Sequence, residues 1–123
     1  TRKLKRSAEQ LWLLQAQTSK GHVWLMQRPQ RGVWAGLYCL PVFDGWADLQ
    51  SAVPAKYRDR LEEGHVFKHV LTHKDLYLHP VRIVLPATVQ LEEGQWVDAS
   101  AWAALGLPAP IRKLLTAQSN DAL

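Results

Sequence analysis

Apolar residues at positions 11–26 fall into two short runs divided by a polar turn. Leu11, Trp12, Leu13 and Leu14 are consecutive, and Gln15, Gln17 and Thr18 follow. A run of that length fits a strand buried within a sheet. Ser19, Lys20 and Gly21 supply a turn, and residues 22–26 return as the second arm of a hairpin. Arg28, Pro29, Gln30, Arg31 and Gly32 form a breaker-rich loop, since proline lacks an amide donor and glycine admits positive φ. A mixed apolar stretch over residues 33–43 is interrupted by Gly36 and Pro41. Asp44 and Gly45 introduce a short helix over residues 46–52. Pro54 suits the first turn of a second helix over residues 55–61, ending near Gly64.

Strands are predicted over residues 66–71 and 76–85, with Pro80 favouring an edge or a bulge in the latter. Residues 95–97 form a last short strand. Asp98 can cap a helix running to Ala104, and Pro110 opens a final helix over residues 111–117. Hairpin, helices, strands and closing helix predict an α+β sandwich of sheet and helices, not a βαβ repeat.

Composition narrows the class. The chain has 123 residues, 47% of them hydrophobic and 21% charged, which suits one domain with its own core and argues against disorder. Arg2, Lys3, Lys5 and Arg6 supply four of the fifteen cations; the remaining 11 balance the 11 acidic residues. The basic excess is therefore a leading arm, which fits a nucleic-acid contact or the end of a linker. A single cysteine, Cys39, excludes a disulfide framework, a four-cysteine zinc site or an iron–sulfur cluster held by this chain alone. No apolar run approaches the roughly 20 residues that cross a bilayer, so no membrane partner is expected.

Three chemistries are tested by spacing. His65, His69 and His73 recur every four residues, but their neighbours Val66, Phe67, Val70 and Leu71 favour a strand. There, four-residue steps separate them by about 13 Å, beyond one ion's reach, so no metal site is expected. Cys39 sits between Tyr38 and Leu40 as a buried, inert thiol, and the serines lack a glycine-flanked elbow. Trp12, Trp24 and Trp96 are expected in the core; Trp34 and Trp46 flank the glycine- and proline-bearing segment, where a base or partner could meet them.

That segment, Gly32-Val33-Trp34-Ala35-Gly36-Leu37-Tyr38-Cys39-Leu40-Pro41 after Gln27-Arg28-Pro29, resembles the opening of the C-terminal domain of MutY-type adenine DNA glycosylases, a domain related to the Nudix hydrolases. His69-Val70-Leu71-Thr72-His73 is similar to the family's loop with a Phe-Ser-His core, and Gly106-Leu107-Pro108-Ala109-Pro110-Ile111-Arg112-Lys113-Leu114-Leu115 to its closing helix. The resemblance implies a Nudix-like mixed β-sheet sandwiched by short helices. It implies a basic linker end over residues 1–8, a lesion-recognition domain over 9–118 and a tail over 119–123.

The Nudix metal box needs several carboxylates on one helix. Anchored on Leu40-Pro41, its positions fall on Phe43, Leu49, Tyr57, Arg58, Leu61 and Glu62. Shifted by one residue they reach Arg58, Asp59, Glu62 and Glu63. Asp44 and Gln50 then fill the outer positions, Arg60 takes the aliphatic slot, and Pro54 interrupts the helix. A solvated acidic face is the reading that follows, with no catalytic residue and no cofactor expected in this chain.

The loop suits another task. Guanine shows an N7 acceptor in the major groove, whereas 8-oxoguanine carries an N7–H donor and an O8 acceptor. The Thr72 hydroxyl can both give and accept a hydrogen bond. Leu71 can act as an apolar wedge, and His73 can support the loop or approach a phosphate. By resemblance these three positions match the family's lesion-sensing loop, with Leu and Thr replacing Phe and Ser. Arg28, Arg31 and Lys74 are the expected backbone contacts. The implied partners are double-stranded DNA with 8-oxoguanine:adenine mispairs and an N-terminal catalytic domain in cis, which in the family carries an iron–sulfur cluster. A monomer in a bacterial cytoplasm, associated with the nucleoid, is expected. A stand-alone Nudix hydrolase of oxidised nucleotides and a pure docking module are the two alternatives.

Overall fold

Leu11, Leu13, Leu14 and Ala16 are all buried, so the strand carrying them is covered on both faces. The computed structural model describes residues 6–121. Its strands are β1 (Ser7–Gln17), β2 (Val23–Gln27), β3 (Tyr38–Cys39), β4 (Val42–Phe43), β5 (Glu62–Glu63), β6 (Phe67–Val70), β7 (Lys74–Val84) and β8 (Gln95–Val97). The helices are α1 (Trp46–Ala52), α2 (Ala99–Trp102) and α3 (Ala109–Asp121), with a 3-10 helix at Ala55–Arg60.

β1 and β7 run parallel in register from Ser7 opposite Lys74 to Gln17 opposite Val84. This pair is the spine of one mixed sheet, ordered β3-β2-β1-β7-β5, with β4 added to β1, β6 to β7 and β8 to β2. Because side chains alternate along a strand, the spine feeds two cores. Leu11, Leu13, Leu76 and Leu78 pack with Trp102, Ile111 and Leu115 from α2 and α3. Leu14, Ala16, Val81 and Ile83 pack on the other face with Leu49 and Val53 at α1. Helices therefore cover both faces of a mixed sheet, the architecture expected.

The predicted hairpin is present but brief. Gln17 opposite Val23 is its register pair, and Thr18 N–H donates to the His22 carbonyl at 2.9 Å. β2 then leaves β1 for β3 and β8, and β4 takes the vacated edge, placing Phe43 opposite Trp12. Trp24 is fully buried, edge-on to Trp96 at 5.2 Å; Trp12 is half-buried and stacks on His79 at 4.1 Å.

The second helix departs from expectation. Residues 55–60 wind as a 3-10 helix, held by Tyr57 N–H to the Pro54 carbonyl and by Arg58 Nε to the Val53 carbonyl at 2.8 Å. Glu62 and Glu63 then leave it as β5, paired with Arg82 and Val81 of β7. Pro80 occupies the expected bulge. Between the pairs Glu63–Val81 and Phe67–Leu78, three residues (Gly64, His65, Val66) face two (His79, Pro80). Gly64 N–H donates to the Pro80 carbonyl at 2.8 Å. A residue's carbonyl and nitrogen point to the same edge of a strand, so the missing proline donor faces the bulge and costs the β1 ladder nothing.

Element ends differ modestly elsewhere. Asp98 does cap α2, accepting from Ser100 N–H at 3.3 Å. The expected linker end at residues 1–8 lies outside the described residues through Lys5, whereas Ser7 and Ala8 already belong to β1. Helix α3 runs to Asp121, into the expected tail. Among the described residues no helix is long and apolar enough to cross a membrane.

Leu13 is fully buried at the spine, whereas Val84 is 57% exposed at its end. Leu13→Ala is expected to cost about 2–5 kcal/mol in urea denaturation, and Val84→Ala to stay within about 0.5 kcal/mol of the parent.

Candidate nucleic-acid interface

β6 and β7 form a hairpin whose last pair is Val70 with Asp75. Leu71 N–H donates to the Lys74 carbonyl at 2.8 Å, which leaves Thr72 and His73 as the two tip residues. Turns this tight ordinarily rely on glycine or asparagine at positive φ. Neither tip residue is of that kind, and Trp34 is the one non-glycine residue with positive φ among those described. Support comes instead from outside the hairpin.

Arg6 provides it. One guanidinium nitrogen, Nη1, donates to the Thr72 carbonyl at 2.8 Å, and Nη2 donates to the Leu71 carbonyl at 2.6 Å and the Lys74 carbonyl at 3.2 Å. Nε and Nη2 also grip Asp75 Oδ1 at 3.2 and 2.7 Å. Ser7 N–H reaches the His73 carbonyl at 3.4 Å. The hydrogen bond from Arg6 holds the Asp75 carboxyl below the usual carboxylate range, and the charges of Arg6 and Lys68 reinforce it.

With its backbone held from beneath, the tip turns its side chains outward. Thr72 and His73 are exposed, and the Thr72 hydroxyl makes no hydrogen bond among the described residues. Leu71 is half-buried and packs, with Val33 and Trp34, against the core beneath α3. The projecting groups are thus a hydroxyl and an imidazole, with Leu71 at their base.

The three cations expected at the backbone separate. Arg28 is half-buried and braces its own loop, Nε to the Val33 carbonyl at 3.3 Å and N–H to the Leu37 carbonyl at 2.8 Å. Lys74 Nζ pairs with Glu9 at 3.0 Å. These two line one cleft of about 340 Å³ with Glu9, Leu11, Val33 and Asp44. Arg31 is exposed on the neighbouring loop. Trp34, at φ 56°, sets its ring 6.4 Å from that of His69, so the loop over residues 28–37 leans on β6.

Other candidates fall away on geometry. Burial pushes the Cys39 thiol up to about 12, although the charge of Arg28 opposes the shift; a thiol so protonated is no nucleophile. Asp59 lies in the 3-10 helix, while Glu62 and Glu63 are successive residues of a strand and point to opposite faces. These acids do not share a helix face, as a Nudix box requires. His69 lies on β6, between His65 before the strand and His73 at the turn. Among the described residues no group of three or more His, Cys, Asp or Glu gathers as a metal set. Arg6 is the residue that sequence reasoning misplaced: it reads as one more cation of the arm, because its partners lie 65–69 positions away.

Comparison with known proteins bears on this geometry. The NUDIX domain family matches residues 11–117. The adenine DNA glycosylase of Buchnera aphidicola subsp. Baizongia pistaciae is 28% identical over 103 residues, covering 79% of this chain and 29% of its own length. The chain thus spans under a third of that relative. Two solved structures share the fold at 18% identity. The C-terminal domain of mouse MUTYH, solved with human PCNA, superposes with a TM-score of 0.66, over 94% of this chain and 88% of that one. The MutT protein of Methanosarcina mazei Go1 does so with a TM-score of 0.65, over 98% and 99%.

The Arg6–Asp75 contact has a pH signature. Asp75 has a lower pKa folded than unfolded, so its contribution is complete above the unfolded value of about 3.9 and disappears as pH falls through the depressed one. Carboxyl-carbon NMR should show Asp75 titrating below the ordinary aspartate value of about 3.9, and Arg6→Gln should return it towards that value.

Proposed function

The chain belongs to the NUDIX domain family, and from that premise we propose that it serves DNA repair as the lesion-recognition domain of an A/G-specific adenine DNA glycosylase. Its similarity to a bacterial adenine DNA glycosylase supports the repair setting. The observation that carries the reading is the Thr72 side chain, exposed at the end of a hairpin whose backbone Arg6 grips.

The chemistry is a reversal of hydrogen-bond polarity. Against guanine, a hydroxyl can only donate to N7; against 8-oxoguanine it can accept from N7–H. Guanine thus offers the hydroxyl one bond, whereas the oxidised base offers two, N7–H to accept from and O8 to donate to, with His73 beside it. Leu71 at the base of the tip is the apolar element that lies against the disturbed stack. Arg31, the least committed of the three cations, supplies a phosphate contact, with Arg28 and Lys74 at the cleft behind it.

In this reading residues 9–118 sense the lesion, and excision belongs to a catalytic domain in cis that extrudes the mispaired adenine. With Arg2, Lys3 and Lys5 set aside, the chain carries 12 cations against 11 acids, a formal charge of only +1. Phosphate neutralisation dominates DNA affinity, so the domain alone binds duplex weakly and contributes discrimination rather than strength.

In the full-length protein that carries this domain, Thr72→Ala should weaken binding to an 8-oxoguanine:adenine duplex by about 1–3 kcal/mol more than binding to a guanine:adenine duplex. Fluorescence anisotropy at one fixed salt concentration measures both. Equal losses on the two duplexes would refute the reading.

A further inference from the structure

Arg6 opens the described chain as the last cation of a basic arm, where an exposed guanidinium would ordinarily meet a phosphate. Its donors are otherwise committed. A guanidinium has five N–H groups; Nε, one from Nη1 and both from Nη2 are spent on the carbonyls of Leu71, Thr72 and Lys74 and on Asp75. One Nη1–H remains.

We infer that Arg6 is a positioning residue for lesion recognition: its planar fork, seated on Asp75, sets the direction in which the hairpin presents Thr72 and His73. The inference rests on the lesion reading assigned to Thr72 above. Three features carry it. The tip lacks the residue types that hold a tight turn unaided, so its backbone direction must be imposed. The fork takes consecutive carbonyls, Leu71 and Thr72, which leaves the peptide planes on either side of the Thr72 α-carbon little freedom to rotate. Ser7 N–H, one residue along, ties the next carbonyl, that of His73, so the start of β1 and the tip form one body.

Lysine cannot substitute. It offers a point charge on a flexible stem rather than divergent donors in a plane. Asp75 completes the arrangement by fixing Nε and Nη2 together, with Lys68 Nζ 3.9 Å from its other oxygen.

The test compares Arg6→Gln, Arg6→Lys and Thr72→Ala in the full-length protein, on 8-oxoguanine:adenine and guanine:adenine duplexes across a salt series. Both Arg6 variants should lower the ratio of the two affinities by about tenfold, on the order of one base contact. The salt slope should not change, and adding Arg6→Gln to Thr72→Ala should shift the ratio no further. In amide NMR spectra of the 123-residue chain, Arg6→Gln should speed exchange at residues 71–75 and spare the β1–β7 spine from Leu76 onward. Uniform loss on both duplexes with a salt slope reduced by about 1 would make Arg6 a phosphate contact and overturn the inference while Thr72→Ala stayed selective. Wild-type discrimination by Arg6→Lys, or unchanged hairpin amides, would overturn it as well. Loss of selectivity by Arg6→Gln but not by Thr72→Ala would count instead against the Thr72 reading.

Discussion

Parallel pairing between β1 and β7 is the constraint on which the rest depends. Parallel strands cannot be joined by a tight turn, and here the whole region between residues 17 and 74 is the connection. Once the two strands lie in register, residue 6 stands beside residues 71–75, and the hairpin before β7 is brought under the start of β1. The two-sided core makes that register hard to shift. A slip of one residue would turn Leu11 and Leu13 towards α1 and Leu14 and Ala16 towards α3, exchanging every packed face.

The same spine accounts for what became of the acidic segment. Relatives of the hydrolase type would present carboxylates from one helix; here Pro54, the Arg58–Val53 hydrogen bond and the β5 pairing draw residues 55–63 into a 3-10 helix and a strand instead. Pro80 is accommodated because three residues bulge opposite it. The bulge also divides β5 from β6, so the hairpin tip and the acids occupy separate parts of the β7 edge. The fold shared with a MutT protein thus leaves these acids off any common helix face.

Charge has a similar division of labour. Counted along the chain, the leading cations look like one electrostatic arm. In space Arg6, though exposed, is spent on carbonyl oxygens and Asp75, Lys74 is paired with Glu9, and Arg28 braces its own loop. These three cations maintain shape. In the proposed reading, selectivity comes from fixed polar geometry and duplex affinity is left to other surfaces.

Much was legible in the sequence. The unbroken apolar run at residues 11–14 read as a buried strand, the β-branched and aromatic neighbours of His69 favoured a strand over a helix, and Pro80 within an apolar strand favoured a bulge or an edge. Asp98 announced its cap. These are local signals, set by side-chain period, backbone propensity and missing donors within a few residues. The early departure of β2, the strand at Glu62–Glu63 and the place of Arg6 were not local. Each depends on which edge is free and which carbonyls lie uncovered after the sheet assembles, and a guanidinium finds those partners only when residues more than sixty positions apart have been brought together by packing.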